Sequence, residues 1–275
     1  MNNLIFDIGL HLGEDSAYYL QKGFKVVAVD ASPDCIAAAE KKFEPYLNSG
    51  QLTLVNCAVS DVEGDASFNI SEESIWSSLN FEVANRKESV KETITVTARG
   101  LPSLMDQYGE PLYCKIDIEG SDKNALESLF KTSYRPEFIS VETECTGIKK
   151  QLGDEEALET LQLLRNLGYE KFKLVDQVTL HPLLPDKRFY NMNFLDRIKL
   201  RTQYMFWRSY RDRLKSRFNW FFVPGGSGPF GDEIACRWLD FKSARSTLLF
   251  HRDGYYKQDN ALNYGFWCDW HAKSC

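Results

Sequence analysis

The sequence predicts an α/β fold: a mainly parallel, Rossmann-like sheet with helices on both faces, followed by a basic and aromatic C-terminal extension. Three observations carry this expectation. Short apolar β-type runs alternate with helix-period segments over the first 180 residues, the pattern of βαβ units. A glycine-containing turn, Gly9–Gly13, follows the first apolar run directly. Beyond His181-Pro182 the rhythm breaks and composition changes. Residues 1–180 are therefore read as one ligand-binding domain. Residues 181–275 are read as an extension packed on that domain and contributing to substrate binding.

Leu4–Ile8 reads as the first strand, and the helix after the turn carries Ala17 and Leu20 inward. Lys25–Asp30 is apolar nearly throughout, as a strand covered on both faces should be. Ser32 caps the next helix with Pro33 in its first turn, and Ile36, Ala39, Phe43 and Leu47 share a face. Leu52–Val59 is a third strand. Ser67–Ile70 and Thr93–Thr97 are additional strands around a polar loop holding Trp76. Helix Leu101–Tyr108 precedes a fourth main strand, Leu112–Ile118, and the helix after it buries Ala125, Leu126, Leu129 and Phe130. Phe138–Glu142 is a fifth strand. Asp154–Leu167 is a helix with Leu158, Leu161, Leu164 and Leu167 inward, Phe172–Val178 a sixth strand, and Asp240–His251 a further helix.

Net charge is −6, unevenly distributed. Lys187–Arg217 holds ten Lys or Arg against Asp196 and Asp212, a local +8 that leaves −14 elsewhere. Within and just after it, Trp207, Tyr210, Leu214, Phe218 and Phe221 recur at helical steps. The segment reads either as an amphipathic helix solvating its cations or as a surface for an anionic partner. The seven cysteines are scattered and form no Cys-x-x-Cys pair, which fits buried free thiols in a reducing, cytoplasmic setting rather than structural zinc. Asn2-Asn3 leading straight into Leu4 predicts no secretory leader, and no apolar run approaches the ~20 residues of a membrane span.

The first turn reads Asp7-Ile8-Gly9-Leu10-His11-Leu12-Gly13. Its G-x-x-x-G spacing lacks the G-x-G-x-x-G of a dinucleotide site, which counts against a nicotinamide-dependent oxidoreductase. It suits S-adenosyl-L-methionine, with Asp7 beside the positive charge and Gly9, His11 and Gly13 along the turn. Asp30, at the carboxyl end of the second strand, is positioned for the ribose hydroxyls. Ala58 and Ser60, at the end of the third, fall beside the adenine.

Lys115-Ile116-Asp117-Ile118-Glu119-Gly120 places three charges in a strand that should be buried, costly without partners. Strand alternation would put Lys115, Asp117 and Glu119 on one face as an ion network or a pocket floor. Asp117 and Glu119 are the candidate bases, with Glu142 and Glu144 behind them. His271, two residues after Asp269 in a strand-like tail, is a further candidate. The sequence shows no ligand set that decides for a metal.

Asp7-x-Gly9-x-x-x-Gly13 with Ser16, Asp30 before Ser32-Pro33, Asn56-Cys57-Ala58-Val59-Ser60-Asp61-x-x-Gly64, and Lys115–Gly120 followed by Asp122 together resemble the FkbM family of methyltransferases. The resemblance spans residues 4–175 and departs from the family at Leu10-His11, where Ala-Asn is usual, and at Asp122, where Glu is frequent. It implies a class I methyltransferase fold, S-adenosylmethionine as cofactor, and O-methylation of sugar hydroxyls or polyketide-type products. A glycan or other small-molecule acceptor follows, with an anionic or lipid-linked acceptor or a peripheral membrane contact as the functional use of 187–217. The competing readings are the oxidoreductase, a non-catalytic S-adenosylmethionine-binding or nucleotide-binding module, and a nucleic-acid methyltransferase. The last is disfavoured by the acidic net charge and by the missing Asn/Asp-Pro-Pro-aromatic motif.

Overall fold

The computed structural model describes residues 2–145, 153–183, 207–223, 225–256 and 266–274. Side chains are described for all of these except 144–145, 153–156, 207–210, 252–256 and 266. The chain divides into two compact units, Met1–Val141 (with Ser274) and Glu142–Lys273.

The first unit is built on parallel strands. β1 (Leu4–Ile8) leads through the glycine turn into α1 (Glu14–Gln21), and β2 (Lys25–Asp30) leads into α2 (Pro33–Lys42). The short α3 (Glu44–Asn48) precedes β3 (Leu52–Asn56). After an insertion, α5 (Leu101–Tyr108) leads to β7 (Tyr113–Ile116), α6 (Asp122–Ser128) and β8 (Phe138–Cys145). The strand order is β8-β7-β1-β2-β3, with β1 parallel to both β2 and β7. The chain winds outward from β1 to β3 and then returns to the other side of β1. The order therefore reverses between β1 and β7, and such a switch point opens a ligand crevice beyond the carboxyl ends of the two strands.

Local chemistry explains these elements. β2 (KVVAVD) is buried at its four central positions, so its apolar run has a face on each side. Ser32 caps α2 by accepting the Cys35 amide, with Pro33 at the first helical position. The single helical face expected from Ile36 to Leu47 is instead broken at Phe43, whose non-helical backbone separates α2 from α3.

The third strand also divides. Leu52–Asn56 pairs with β2, but the Cys57 amide turns back to the Asp30 carbonyl at 3.1 Å. β4 (Ala58–Val59) then joins a second sheet of order β4-β6-β5, made with β5 (Gly64–Ser71) and β6 (Val90–Arg99). Its small core is Ala31, Ala58, Phe68, Val96 and Ala98. β5 and β6 are antiparallel and enclose the loop of residues 72–89, which contains the short helix α4 (Phe81–Ala84). Phe130, expected inside, is 41% exposed, because α6 tightens into a 3-10 turn at Leu129–Lys131.

The second unit contains α7 (Gly153–Asn166), β9 (Lys171–Asp176), β10 (Pro182–Leu183), β11 (Phe266–Lys273) and the helices Trp207–Phe218 and Phe241–Tyr256. β9 pairs antiparallel with both β10 and β11. On α7, Ala157, Leu161 and Leu164 are buried, whereas Leu158 is half-buried. Within Trp207–Phe218, Leu214 is buried, and Arg213, Lys215 and Arg217 are exposed. Arg211 belongs to the interior: it is buried and donates to the carbonyls of Phe222 (2.6 Å), Val178 (2.6 Å) and Gln177 (3.4 Å). It is thus a structural cation of this unit. The rest of the basic segment, residues 187–206, lies outside the described residues. No helix among the described residues is long and apolar enough to cross a membrane.

His271 and Asp269 share a face of β11, both about 1% exposed. His271 pairs in register with Lys173. Lys173 Nζ donates to the carbonyls of Gly231 (2.9 Å) and Ile234 (3.0 Å) and lies 4.1 Å over the Trp238 ring. Neither His271 ring nitrogen has a hydrogen-bond partner among the described residues. Burial, and then the Lys173 charge, lower its pKa to about 3. With an unfolded value of about 6.5, the unfolded chain binds more protons between these limits. Stability is therefore lost as pH falls from about 6.5 towards 3. Urea unfolding of His271→Leu at pH 7 and pH 4.5 should show a smaller acid-induced loss than wild type. An equal loss in both proteins would show that this ring takes no part in acid destabilisation.

Candidate active site

Two turns line the crevice at the switch point. The first, Gly9–Gly13, leaves β1 with Gly9 at φ 88°, His11 at 48° and Gly13 at 72°. The Gly9 and Leu10 amides both donate to the Val29 carbonyl, at 2.9 and 3.0 Å. A Cβ on Gly9 would sit 1.8 Å from the Asp117 carbonyl oxygen, so the close approach of the two turns requires glycine there.

The second turn, Asp117–Gly120, leaves β7. Strand alternation was expected to align Lys115, Asp117 and Glu119, but β7 ends at Ile116 and Glu119 adopts φ 50°. The main partner of Lys115 lies across the sheet. Asp7 is its register neighbour, and Lys115 Nζ donates to Asp7 Oδ1 at 3.1 Å and to the Gly9 carbonyl at 3.0 Å. Ser16 Oγ donates to the other Asp7 oxygen at 2.6 Å. Asp7 is fully buried, with both oxygens committed to the protein.

Asp15 and Asp117 each approach Lys115 Nζ to 3.7 Å. Burial alone would lower the Lys115 pKa, but Asp7, Asp117 and Asp15 raise it well above the ordinary lysine value, so the side chain stays charged. One cation thus faces three carboxylates, a formal charge of −2 in a largely buried cluster. Such an excess favours a positively charged ligand. Glu119 stays beside Asp117, one carboxylate oxygen of each lying within 4.8 Å of the other, and its Oε2 is 4.0 Å from Arg86.

Asp30, at the end of β2, accepts the His11 amide at 2.8 Å through Oδ2 and the Ser32 amide at 2.8 Å through Oδ1. Burial raises its pKa, and the two amide donors oppose that rise. A carboxylate offers about four acceptor positions, so capacity remains for two hydroxyls. Ala58 points its side chain into the small core of the second sheet. The Ser60 amide donates to the Arg99 carbonyl at 3.0 Å, and its hydroxyl to Asp61 at 3.2 Å.

The crevice thus brings together Asp7, Gly9, His11, Gly13, Asp30, Lys115, Asp117 and Glu119. His271 lies in the second unit and is 1% exposed, with no exposed ring edge to meet an acceptor. Sequence reasoning missed Asp15, whose only signal was its position in the first turn of α1. It also left Asp122 without a role. Asp122 Oδ1 accepts the Ile118 amide at 3.0 Å and Oδ2 the Gly120 amide at 3.1 Å, fixing the second turn from α6.

The strand order, the switch-point crevice and the acid at the end of β2 define a Rossmann-like fold of the class I methyltransferase type. The family profile described as "Methyltransferase FkbM domain" matches residues 7–171. The chain belongs to the FkbM methyltransferase family, and S-adenosylmethionine is its cofactor. The acidic surplus around Lys115 and the spare acceptor capacity of Asp30 fit a cationic nucleoside of this kind. No curated protein matches the chain.

Solved structures similar to it include the StiE O-MT fragment, residues 942–1257, at 8% identity, covering 99% of this chain and 68% of that one with a TM-score of 0.42. An S-adenosyl-L-homocysteine complex of a SAM-dependent methyltransferase from Geobacter sulfurreducens is 13% identical, covering 100% and 85% with a TM-score of 0.39. A precorrin-6y C5,15-methyltransferase from Geobacter metallireducens is 11% identical, covering 64% and 69% with a TM-score of 0.35.

Burial, followed by the charge of Asp117, raises the Asp122 pKa to about 7. An unfolded aspartate titrates near 3.9, so between about 4 and 7 the folded chain binds more protons, and stability falls as pH rises through that window. Asp122→Asn should therefore gain stability relative to wild type between pH 5 and pH 8, read by urea unfolding at each pH. A difference that stays flat with pH would show that Asp122 is ionised throughout.

Proposed function

We propose that the protein is an O-methyltransferase acting on a hydroxyl of a sugar, glycolipid or related natural product. The observation that carries this reading is the pair of half-buried acids, Asp117 and Glu119, on the turn beside the glycine loop. Their side chains are 18% and 27% exposed.

S-adenosylmethionine, when bound, supplies a methyl group on a positively charged sulfur. The chain has three tasks around it. Asp30 would accept the ribose hydroxyls with the lone pairs that His11 and Ser32 leave open. Asp7, tied to Lys115 and Ser16, fixes the glycine turn, while Asp117 would contribute negative charge that suits a positively charged ligand. Glu119 would take the proton of the acceptor hydroxyl, so that the oxygen is neutral once methylated. A sugar hydroxyl is a weak acid, so a positioned base accelerates this step, and alignment of the acceptor oxygen supplies much of the rest. On the second unit, exposed Arg213, Lys215 and Arg217 suit an anionic partner, since arginine's planar fork matches phosphate oxygens.

The test is transfer from methyl-labelled cofactor to a panel of glycans and glycolipids, with the methylated atom identified in the product. Methyl ethers are expected, and Asp117→Asn and Glu119→Gln should lower turnover by roughly 10²–10⁴-fold at saturating substrate. Products methylated only at nitrogen or carbon would contradict the acceptor chemistry. Wild-type rates in both variants would move the base elsewhere.

A further inference from the structure

The loop of residues 72–89 between β5 and β6 has no part in the scheme above, yet it touches both crevice turns. On one side, Ser74 Oγ lies 2.9 Å from His11 Nε2 in the glycine turn. On the other, Ser78 Oγ donates to the Glu119 carbonyl at 2.6 Å, and Arg86 reaches the Glu119 carboxylate at 4.0 Å. A Cβ on Gly120 would press 2.9 Å from Val83 of α4, so the loop also lies against the backbone of the second turn.

Ser78 is anchored well enough to act as a fixed point. It is 1% exposed. Its amide donates to the Asn69 carbonyl at 3.0 Å, and its carbonyl accepts the Asn69 amide at 2.9 Å and the Asn69 side-chain amide at 3.1 Å. Asn69 Oδ1 in turn accepts Thr93 Oγ1 of β6 at 2.8 Å. The same Ser78 hydroxyl accepts the Asn80 amide at 2.9 Å, leaving its proton for Glu119. A chain of hydrogen bonds thus runs from the second sheet through Asn69 and Ser78 to the turn after β7.

That turn needs such support. Glu119 and Gly120 are consecutive residues at positive φ, 50° and 86°, and a non-glycine residue there persists only where its surroundings over-determine it. Asp122 holds the amides on either side of Glu119. Ser78 holds the Glu119 carbonyl between them.

We propose that the loop of residues 72–89 is a clasp across the cofactor crevice, and that Ser78 is a positioning residue that holds the Asp117–Gly120 turn in its ligand-binding geometry. Ser74 secures the opposite turn through His11. The clasp acts on cofactor binding and does not depend on the identity of the methyl acceptor.

The experiment is calorimetric titration of the full chain with S-adenosylhomocysteine, alongside thermal unfolding of the ligand-free protein and amide exchange at residues 118–120. Ser78→Ala removes the donor, and Ser78→Cys keeps its approximate volume with a weak one. A net hydrogen bond contributes about 0.5–1.5 kcal/mol, so affinity should fall by roughly 2- to 10-fold in both variants, with faster exchange at Gly120. A hydroxyl that serves only the loop's own folding would lower the unfolding temperature and leave affinity unchanged. Wild-type affinity in either variant that folds would overturn the proposal.

Discussion

The buried pair of Lys115 and Asp7 is the constraint on which the first unit's ligand-binding end depends. It joins β7 to β1 across the switch point at 3.1 Å, and Lys115 also holds the Gly9 carbonyl. Ser16 on α1 takes the second Asp7 oxygen, so one carboxylate fixes two strands, a turn and a helix. Ions removed from water are tolerated only when fully partnered, and losing one partner of a buried pair typically costs about 3–5 kcal/mol. The arrangement is therefore rigid, and both crevice turns leave from strands that it locks in register. Asp15 and Asp117 then add charge that Lys115 alone does not neutralise. Stability and ligand preference meet at the same nitrogen atom.

Much of this frame was legible in the sequence because its signals are local. Leu4–Ile8 and Lys25–Asp30 are contiguous apolar strands, Ser32-Pro33 is a helix start, and Leu101–Tyr108 carries its own pattern. Asp30 was legible too, since its place at a strand end follows from chain order. The roles within the Lys115 motif were not. Alternation assigns faces only while a strand continues, and this one ends at Ile116, where Asp122 captures the Ile118 amide. Asp7 reads as a cofactor contact because nothing local reveals its partner, which lies 108 positions away. Ala58 likewise reads as a continuation of the third strand, but Cys57 turns the chain into a second sheet. Ser78 had no signal of its own, because its meaning lies in a contact 41 residues distant.

The second unit followed the same division. Its helix and strand periods were readable, whereas the chemistry of its charged residues was not. Arg211 belongs to a basic run that reads as surface, yet its guanidinium lies inside, bonded to three carbonyls. His271 sits two residues from an acid, as a general base would, but full burial beside Lys173 keeps its ring neutral. Spacing identifies which residues can share a face, and only the tertiary fold decides whether that face meets a ligand or the core.

The acids around Lys115 should make this end of the crevice select positive charge. S-adenosylmethionine and S-adenosylhomocysteine differ by one methyl group and the charge it places on sulfur, so their affinity ratio isolates the electrostatic contribution. That ratio, measured by calorimetry at low ionic strength in wild type and in Asp117→Asn, is the most direct test. The charged ligand should lose affinity relative to the neutral one when the Asp117 charge is removed. An unchanged ratio would contradict it.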